Sequence, residues 1–223
     1  MTADEQWLDA MWPFVREHVP LSPVEVLDVG CGPLGGFVPA LRRDGHEATG
    51  VDPRAPSAPY YHQLNIEQYE PARQVDVVIA STSLHHVADL DLVLDKVTAA
   101  LAPGGKIIVV EWAWERVDEA TAVWCFERLD PSASPSWLSA RRDEWQATGE
   151  TWGSYFTAWA NAQGLHPSDK IRSALDERFH FELSAAGPYF FPDLNEVSEG
   201  AEQSAIDSAA IQPTATRYVG RLR

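Results

Sequence analysis

The chain has 223 residues, of which 45% are hydrophobic and 10% aromatic, so it can build a large core and general disorder is excluded. A formal net charge of −16 without any run of four basic residues argues against a nucleic-acid partner. The sequence shows no 18-residue apolar run, no signal-peptide pattern and only two widely separated cysteines, so we expect no membrane partner and a cytoplasmic location.

The first predicted element is an amphipathic helix within residues 1–20. Its apolar residues recur at helical spacing and are Trp7, Leu8, Met11, Phe14 and Val15. We expect this helix to cover the sheet that the following segments predict.

Residues 26–36 read Val-Leu-Asp-Val-Gly-Cys-Gly-Pro-Leu-Gly-Gly and are the most informative segment of the chain. A short apolar run ends at Gly30, the glycines follow at once, and Phe37–Leu41 resumes an apolar pattern with helical spacing. This order predicts a strand, a glycine turn and a helix, which together bring backbone N–H groups close to a nucleotide-like ligand. Because Gly30 and Gly32 lack Cβ, the chain can turn tightly there and admit a ligand against its backbone.

This turn is compatible with more than one cofactor. A dinucleotide is one candidate, because Gly30-x-Gly32-x-x-Gly35 also matches the fingerprint of dinucleotide-binding proteins. Asp28 places a carboxylate at the mouth of the loop, where a pyrophosphate would be repelled. Pro33 removes one of the N–H donors that would hold a phosphate. A ligand with a free amino group and a sulfonium cation would instead be attracted, and S-adenosylmethionine is such a ligand.

A second strand is predicted over 48–53 and a third around 60–64. Asp52 ends the second strand and could accept both hydroxyls of a ribose, or it could be an ordinary turn residue. Asn65 and Ile66 follow the third strand and could contact the edge and the face of an adenine. A polar loop with one buried isoleucine is the alternative interpretation of these two residues.

The next segments continue the alternation of strands and helices. Residues 75–80 are predicted as a buried strand, because after Asp76 the apolar residues continue rather than alternate. The loop that begins at 81–83 leads into Leu84-His85-His86. A helix is predicted over 89–101 and a fifth strand over 106–110, which ends in Glu111. Strands that alternate with helices predict a parallel sheet with right-handed crossovers.

The second half of the chain is rich in tryptophan, because residues 112–159 hold seven of the nine tryptophans. Three helices are predicted here, over 117–129, 135–148 and 155–162. We expect residues 112–175 to be a helical insertion that covers a pocket at the carboxyl ends of the strands. Each tryptophan is more typical of a core, but as a group they suggest an aromatic, apolar or amine-bearing ligand. A strand near 179–184, a helix within 194–211 and a closing strand over 216–221 complete the chain.

Taken together, four segments resemble the class I S-adenosylmethionine-dependent methyltransferases, especially bacterial enzymes that act on small molecules. These segments are Val26–Gly36, Gly50–Pro53, Val75–Val87 and Leu101–Trp112. The resemblance implies an α/β, Rossmann-like fold in one domain over 1–223, with a seven-stranded, mostly parallel sheet, helices on both faces and an antiparallel C-terminal hairpin. The family commonly reads Gly-x-Gly-x-Gly, whereas Pro33 and Leu34 move the third glycine of this chain to Gly35.

The resemblance also implies where the cofactor S-adenosylmethionine lies: the methionyl part beside Asp28, Gly30 and Gly32, the ribose at Asp52, and the adenine at Asn65 and Ile66. The predicted cofactor-binding residues are Asp28, Gly30, Cys31, Gly32, Gly35, Asp52, Pro53, Asn65, Ile66 and Ser81. In the resembled family, an N-terminal helix such as that within 1–20 can also border the substrate pocket. The predicted function is methyl transfer to a small organic acceptor.

Three residues are candidates for catalysis. His85 or His86 could act as a base, since imidazole titrates near neutral pH, or could simply anchor the start of a helix. Glu111 could bind an acceptor amine, act as a base or anchor a loop. The predicted substrate contacts are Trp112, Trp114, Tyr155 and Tyr189.

Two other functions stay open at this point. A nicotinamide-dependent oxidoreductase could use the same glycine turn, although no Tyr-x-x-x-Lys pair accompanies it. A non-catalytic module that binds S-adenosylmethionine would carry the same binding residues. No metal is expected, because the segment 81–83 supplies no carboxylate cluster. The acceptor, the methylated atom and the oligomeric state are not determined by the sequence.

Overall fold

A seven-stranded sheet forms the centre of the protein in a computed structural model that describes residues 1–132 and 134–223. The strands are β1 (Glu25–Val29), β2 (Glu47–Val51), β3 (Tyr61–His62), β4 (Val75–Ser81), β5 (Leu101–Trp112), β6 (Phe179–Gly187) and β7 (Ala215–Leu222). Their spatial order is β3-β2-β1-β4-β5-β7-β6. Strands β1 to β5 pair in parallel, and β7 pairs antiparallel with both β5 and β6. The predicted sheet and its antiparallel C-terminal hairpin are confirmed.

The described residues form α1 (Ala3–His18), α2 (Val38–Arg43), α3 (Leu90–Ala100), α4 (Glu119–Phe126), α5 (Trp137–Thr148), α6 (Trp152–Ala162), α7 (Ser168–Arg178) and α8 (Glu199–Asp207). The predicted helices recur with shifted ends, and α7 had no helix of its own in the sequence prediction. Thr2 and Glu5 form a capping box at the start of α1, and the helix continues past Pro13. Within the described ranges, none of the helices has both the length and the apolar character needed to cross a membrane.

Helices cover both faces of the sheet, because the central strand β4 is apolar on both sides. Val78 and Ala80 pack with α3 and α7, whereas Val77 and Ile79 pack with α1 and α2. Helix α1 contributes a buried stripe of Trp7, Met11 and Val15, spaced four residues apart. The continuous apolar run of β4 over 77–80 therefore reflects burial on both faces.

The helices between β5 and β6 fall into two groups. Helices α4, α5 and α6 surround an aromatic cluster with buried Trp152, Tyr155 and Phe156. Helix α7 packs beside α3 against the sheet through Ile171 and Leu175. The predicted covering insertion over 112–175 thus includes one helix of the sheet's own outer layer, and its role over a pocket remains a prediction.

Candidate active site

A cavity of about 570 Å³ opens where β1, β2 and β4 end. Carboxyl ends of parallel strands meet at one edge of a sheet, so the short segments that follow them come together there. Its walls include Asp28, Gly30, Cys31, Gly32, Asp52, Pro53, Asn65, Ile66 and Ser81. The structure therefore brings together all the predicted cofactor-binding residues except Gly35. Gly36 lines the cavity instead, while the carbonyl of Gly35 accepts a hydrogen bond from the Tyr61 hydroxyl at 3.3 Å.

The glycine turn is built from residues whose backbone lies in the left-handed region. At Gly30 φ is +76°, and an added Cβ would lie 2.3 Å from Cβ of Ser83. At Gly32 φ is +63°, and an added Cβ would meet no protein atom within 4 Å. Gly30 is thus required by contact with the protein, whereas the space beside Gly32 is left clear at the cavity wall.

Asp28 is a buried carboxylate at the end of β1, with 1% of its surface exposed. Its Oδ2 accepts the N–H of Phe37 at 2.7 Å, which ties the strand to the start of α2. Burial raises the pKa of Asp28 to about 7, partly offset by this hydrogen bond, and the nearby charge of Asp52 raises it further. A cation bound beside Asp28 would favour its ionised form.

Acidic side chains dominate the cavity walls. Asp4, Asp28, Asp52 and Glu67 all line the cavity, whereas Arg54 is the one arginine or lysine among its described walls. The backbone N–H of Arg54 donates to Oδ1 of Asp52 at 2.6 Å, so Asp52 also shapes the turn after β2. A net negative wall attracts cationic ligands and repels a pyrophosphate.

Of the three catalytic candidates, only His86 lines the cavity. His85 and Glu111 are buried behind it, with Nδ1 of His85 2.5 Å from Oε2 of Glu111. The two imidazole rings lie 4.0 Å apart between centroids. Partial desolvation and then the neighbouring His85 lower the pKa of His86 to about 4. His86 is therefore uncharged at neutral pH and can accept a hydrogen bond.

The four predicted substrate residues, Trp112, Trp114, Tyr155 and Tyr189, lie outside the described walls of the cavity. Trp112 stacks on Tyr189 with ring centroids 5.5 Å apart, and Tyr189 meets the Trp7 ring edge-on at 5.1 Å. These two residues form a second row behind Trp7, which does line the cavity. Trp114 and Tyr155 belong to the aromatic cluster of α4–α6.

The sequence prediction of the site did not include three residues of α1. Asp4, Trp7 and Leu8 line the cavity together, since residues three and four apart share one face of a helix. The Trp7 indole N–H donates to Oγ of Ser81 at 3.1 Å, which joins α1 to the end of β4. The resemblance allowed this helix to border the substrate pocket, but no local signal indicated which of its residues would line the cavity.

Thr82 also lines the cavity and was not among the predicted site residues. Its φ is +49°, a left-handed conformation that is uncommon for residues other than glycine. Its N–H donates to the carbonyl of Val110 at 2.7 Å. In the part of the chain that the structure describes, no group of three His, Cys, Asp or Glu side chains is arranged to hold a metal ion.

The fold and the cavity define a class of protein. A seven-stranded sheet with its last pair of strands antiparallel, and a glycine turn with a following acid at the ends of β1 and β2, is the architecture of the class I S-adenosylmethionine-dependent methyltransferases. Residues 5–163 match the family described as a methyltransferase domain, and the chain belongs to that family. The predicted enzyme class is confirmed, and S-adenosylmethionine is the cofactor of that class.

Curated relatives match only part of the chain. A ubiquinone biosynthesis O-methyltransferase of Bradyrhizobium sp. (strain ORS 278) is 31% identical over 102 residues, which is 40% of this chain and 40% of that protein. This chain thus covers about two fifths of the length of the curated relatives that it matches.

Solved structures match over nearly the whole chain. An S-adenosylmethionine-dependent methyltransferase from Mesorhizobium loti has a TM-score of 0.58 at 20% identity, covering 96% of this chain and 99% of that one. A 1,6-didemethyltoxoflavin-N1-methyltransferase from Burkholderia thailandensis, solved with its substrate and S-adenosylhomocysteine, has a TM-score of 0.52 at 13% identity, covering 99% and 78%. At these identities the likeness establishes the fold.

Proposed function

We propose that the cavity binds S-adenosylmethionine and that the protein transfers a methyl group to a small organic acceptor. The observation that carries this proposal is the convergence of Asp28, Gly32, Asp52, Asn65 and Ile66 on one cavity. When bound, S-adenosylmethionine supplies a methyl group activated by a sulfonium sulfur. The volume of the cavity, about 570 Å³, lies within the range of roughly 300–1,000 Å³ found for small-molecule sites.

The residues present fit this cofactor in both shape and charge. The open space beside Gly32 leaves room for a ligand against the backbone. Asp28 and Asp52 put negative charge where the amino and sulfonium groups would be held. In this proposal Asp52 accepts hydrogen bonds from the ribose hydroxyls, while Asn65 and Ile66 contact the adenine.

The same walls disfavour the nicotinamide alternative. Four carboxylates and one arginine line the described part of the cavity, and a pyrophosphate would need the opposite balance. Pro33, which also lines the cavity, has no N–H to offer a phosphate. Neither the family match nor the structural relatives support an oxidoreductase. His86 at the cavity, together with membership of an enzyme family, favours methyl transfer over a non-catalytic binding module.

The acceptor would lie between α1 and the loop after β4. Asp4, Trp7 and Leu8 supply a carboxylate, an aromatic ring and an apolar side chain from α1, and Thr82 and His86 come from the loop. Arg54 is the one arginine or lysine of the described walls and its charge reaches His86, but Asp4, Asp28, Asp52 and Glu67 outnumber it. This composition favours an aromatic acceptor that carries an amine. A phenol is the second candidate, because the curated relatives are O-methyltransferases.

The chain's own residues would act by orientation and by exclusion of water. A cationic amine would first release its ammonium proton to solvent, which frees the lone pair of the nitrogen. The uncharged imidazole of His86 then accepts a hydrogen bond from the N–H of the free amine, or from the O–H of a phenol, and so directs a lone pair of the reacting atom. When that lone pair takes the methyl group, the sulfur would leave as a neutral thioether and the surplus proton of the methylated atom would go to solvent. Trp7 and Leu8 of α1 shield the reacting groups from water on the opposite wall.

Calorimetric titration with S-adenosylmethionine, S-adenosylhomocysteine and NADH tests the cofactor. We expect saturable binding of the two adenosyl ligands and none of NADH. Binding of NADH alone would overturn the proposal. Transfer of a labelled methyl group to benzylamine, phenol or benzoate then tests the acceptor class. Benzylamine should be methylated best and benzoate not at all, since the three share one ring and differ in charge. Efficient methylation of benzoate would contradict the charge argument.

A further inference from the structure

Glu111, at the end of β5, is a buried carboxylate that bonds to the loop after β4. Its side chain is buried, with 1% of its surface exposed. Oε1 accepts the N–H groups of Ser83 at 2.8 Å and Leu84 at 2.6 Å. Oε2 accepts the N–H of Trp112 at 3.3 Å and lies 2.5 Å from Nδ1 of His85. One carboxylate therefore holds three consecutive residues of the loop after β4.

This loop reaches the cavity in two directions. The Ser83 hydroxyl donates to the carbonyl of Val29 at 3.1 Å, which places Ser83 against the glycine turn. The His86 ring lies 4.0 Å from the His85 ring and lines the cavity. Glu111 thus contacts both sides of the cavity through its neighbours, although it is not part of the described walls.

We propose that Glu111 is a positioning residue, which fixes the His86 imidazole at the cavity through His85 and fixes the loop after β4 through the N–H groups of Ser83 and Leu84. The inference deepens the proposed methyl transfer and rests on it, since His86 is there assigned to the acceptor. Glu111 itself lies outside the described walls of the cavity.

The two oxygens of Glu111 have separable tasks. A carboxylate oxygen accepts hydrogen bonds, so His85 directs a proton on Nδ1 at Oε2 of Glu111. In Glu111→Gln, the amide oxygen can still accept the N–H groups of Ser83 and Leu84. The amide NH₂ then faces His85 and requires the opposite tautomer, with the proton on Nε2. This substitution therefore breaks the link to His85 while it preserves the anchor of the loop.

Glu202 provides a matched control. It is fully buried and also accepts three backbone N–H groups, those of Tyr189, Phe190 and Phe191. Neither of its carboxylate oxygens bonds to a histidine among the described residues. Glu202→Gln repeats the chemical change of Glu111→Gln at a site without the imidazole pair.

Nitrogen-15 NMR of the histidine side chains in the full chain tests the inference without any turnover. In the wild type we expect the proton of His85 on Nδ1. Glu111→Gln should move it to Nε2 and shift the His86 resonances, and Glu202→Gln should do neither. Unchanged His86 resonances in Glu111→Gln would overturn the inference. If Glu111→Gln does not fold, His85→Asn offers the same test, because its amide N–H can still donate to Glu111 while the ring beside His86 is lost.

An activity measurement adds a second, independent readout, using benzylamine or phenol according to which one is methylated. Glu111→Gln should lower kcat by up to about 10²-fold, since small misplacements in a site have effects of that size, and should leave the Kd of S-adenosylmethionine within about threefold. The double variant with His86→Asn should be no slower than His86→Asn alone. Losses that multiply would show that Glu111 does not act through His86. If the wild type methylates neither compound, the proposed acceptor class fails, whereas the NMR result still decides the positioning role.

Discussion

The proposed cofactor side and the proposed acceptor side of the cavity are built in different ways. The cofactor side comes from three short segments, 28–36, 52–54 and 65–67, each of which follows the end of one strand. The acceptor side joins parts that are distant in the chain: Trp7 bonds to Ser81, 74 positions later, and Glu111 bonds back to Ser83, 28 positions earlier. A site built from strand ends can be recognised in sequence, whereas a site built by packing of distant elements cannot.

The largest expected effect tests the cofactor side at Asp52. Asp52→Ala should raise the Kd of S-adenosylmethionine by about 10²-fold. The substitution removes two charge-assisted hydrogen bonds of roughly 1.5–3 kcal/mol each, and hydrogen bonds to water replace part of this energy. Asp52→Asn keeps one oxygen for the Arg54 N–H and should have a smaller effect. Calorimetry measures both. An unchanged Kd in Asp52→Ala would remove Asp52 from the cofactor side.

Gly32 and Gly149 separate the needs of the ligand from those of the backbone. Both have positive φ, +63° and +71°, and neither would place a Cβ within 4 Å of another protein atom. Substitution by alanine should therefore destabilise both by about 1 kcal/mol, with similar losses of Tm. Only Gly32→Ala should also weaken the binding of S-adenosylmethionine, by about 30-fold, because the alanine methyl group would lie at the cavity wall. Equal binding by the two variants would contradict the proposed cofactor position.

Asp28 should make both stability and binding depend on pH. Its pKa is near 3.8 in the unfolded chain and about 7 in the fold, so the folded state holds the extra proton between these values. The resulting stabilisation is complete below about pH 4 and is lost as the pH rises to about 7. Chemical denaturation from pH 4 to 8 should show this decline in the wild type relative to Asp28→Asn.

The ionisation of Asp28 should change cofactor binding in the opposite direction to stability as the pH rises. Because the ionised carboxylate attracts the cation, affinity for S-adenosylmethionine should rise by about tenfold from pH 6 to pH 8. Comparison with Asp28→Asn at each pH cancels titration of the ligand's own amino group. An equal pH dependence in both proteins would show that Asp28 does not sense the ligand.

The smallest expected effect compares a tryptophan of the acceptor side with one of the aromatic cluster. Trp7→Phe loses the N–H bond to Ser81, and Trp152→Phe loses the N–H bond to the carbonyl of Val117 at 2.7 Å. Each should destabilise the fold by about 1 kcal/mol. Only Trp7→Phe should also change the KM for benzylamine. A KM change in Trp152→Phe instead would place the acceptor nearer to the helices α4–α6.

Much of the fold could be predicted because its signals are local. Apolar runs such as that of β4, helical spacing in α1 and the glycine turn after β1 each reflect the geometry of a single element. The end of the 194–211 helix was less predictable: it spans Glu199–Asp207 in the structure. Helix α7 packs against α3 through Ile171 and Leu175. The local sequence of α7 does not show whether it packs there or in the aromatic cluster of α4–α6.

The candidate site divides in the same manner. His85 and His86 are neighbours in sequence and look equivalent there, yet one pairs with Glu111 and the other lines the cavity. Trp114 and Tyr155 look like pocket residues but are buried in the aromatic cluster, because large aromatic rings serve cores and binding sites equally well.

The sequence by itself determined the order of the strands, the glycine turn and the acids near the ends of β1 and β2. These features depend on backbone geometry and on side chains that only a few residue types can replace. The tertiary structure alone decided that α1 supplies Asp4 and Trp7 to the cavity, that Gly36 takes the place of Gly35 there, and that Glu111 holds the loop after β4. Those outcomes depend on which faces of distant elements meet, and such contacts are fixed only when the whole core packs.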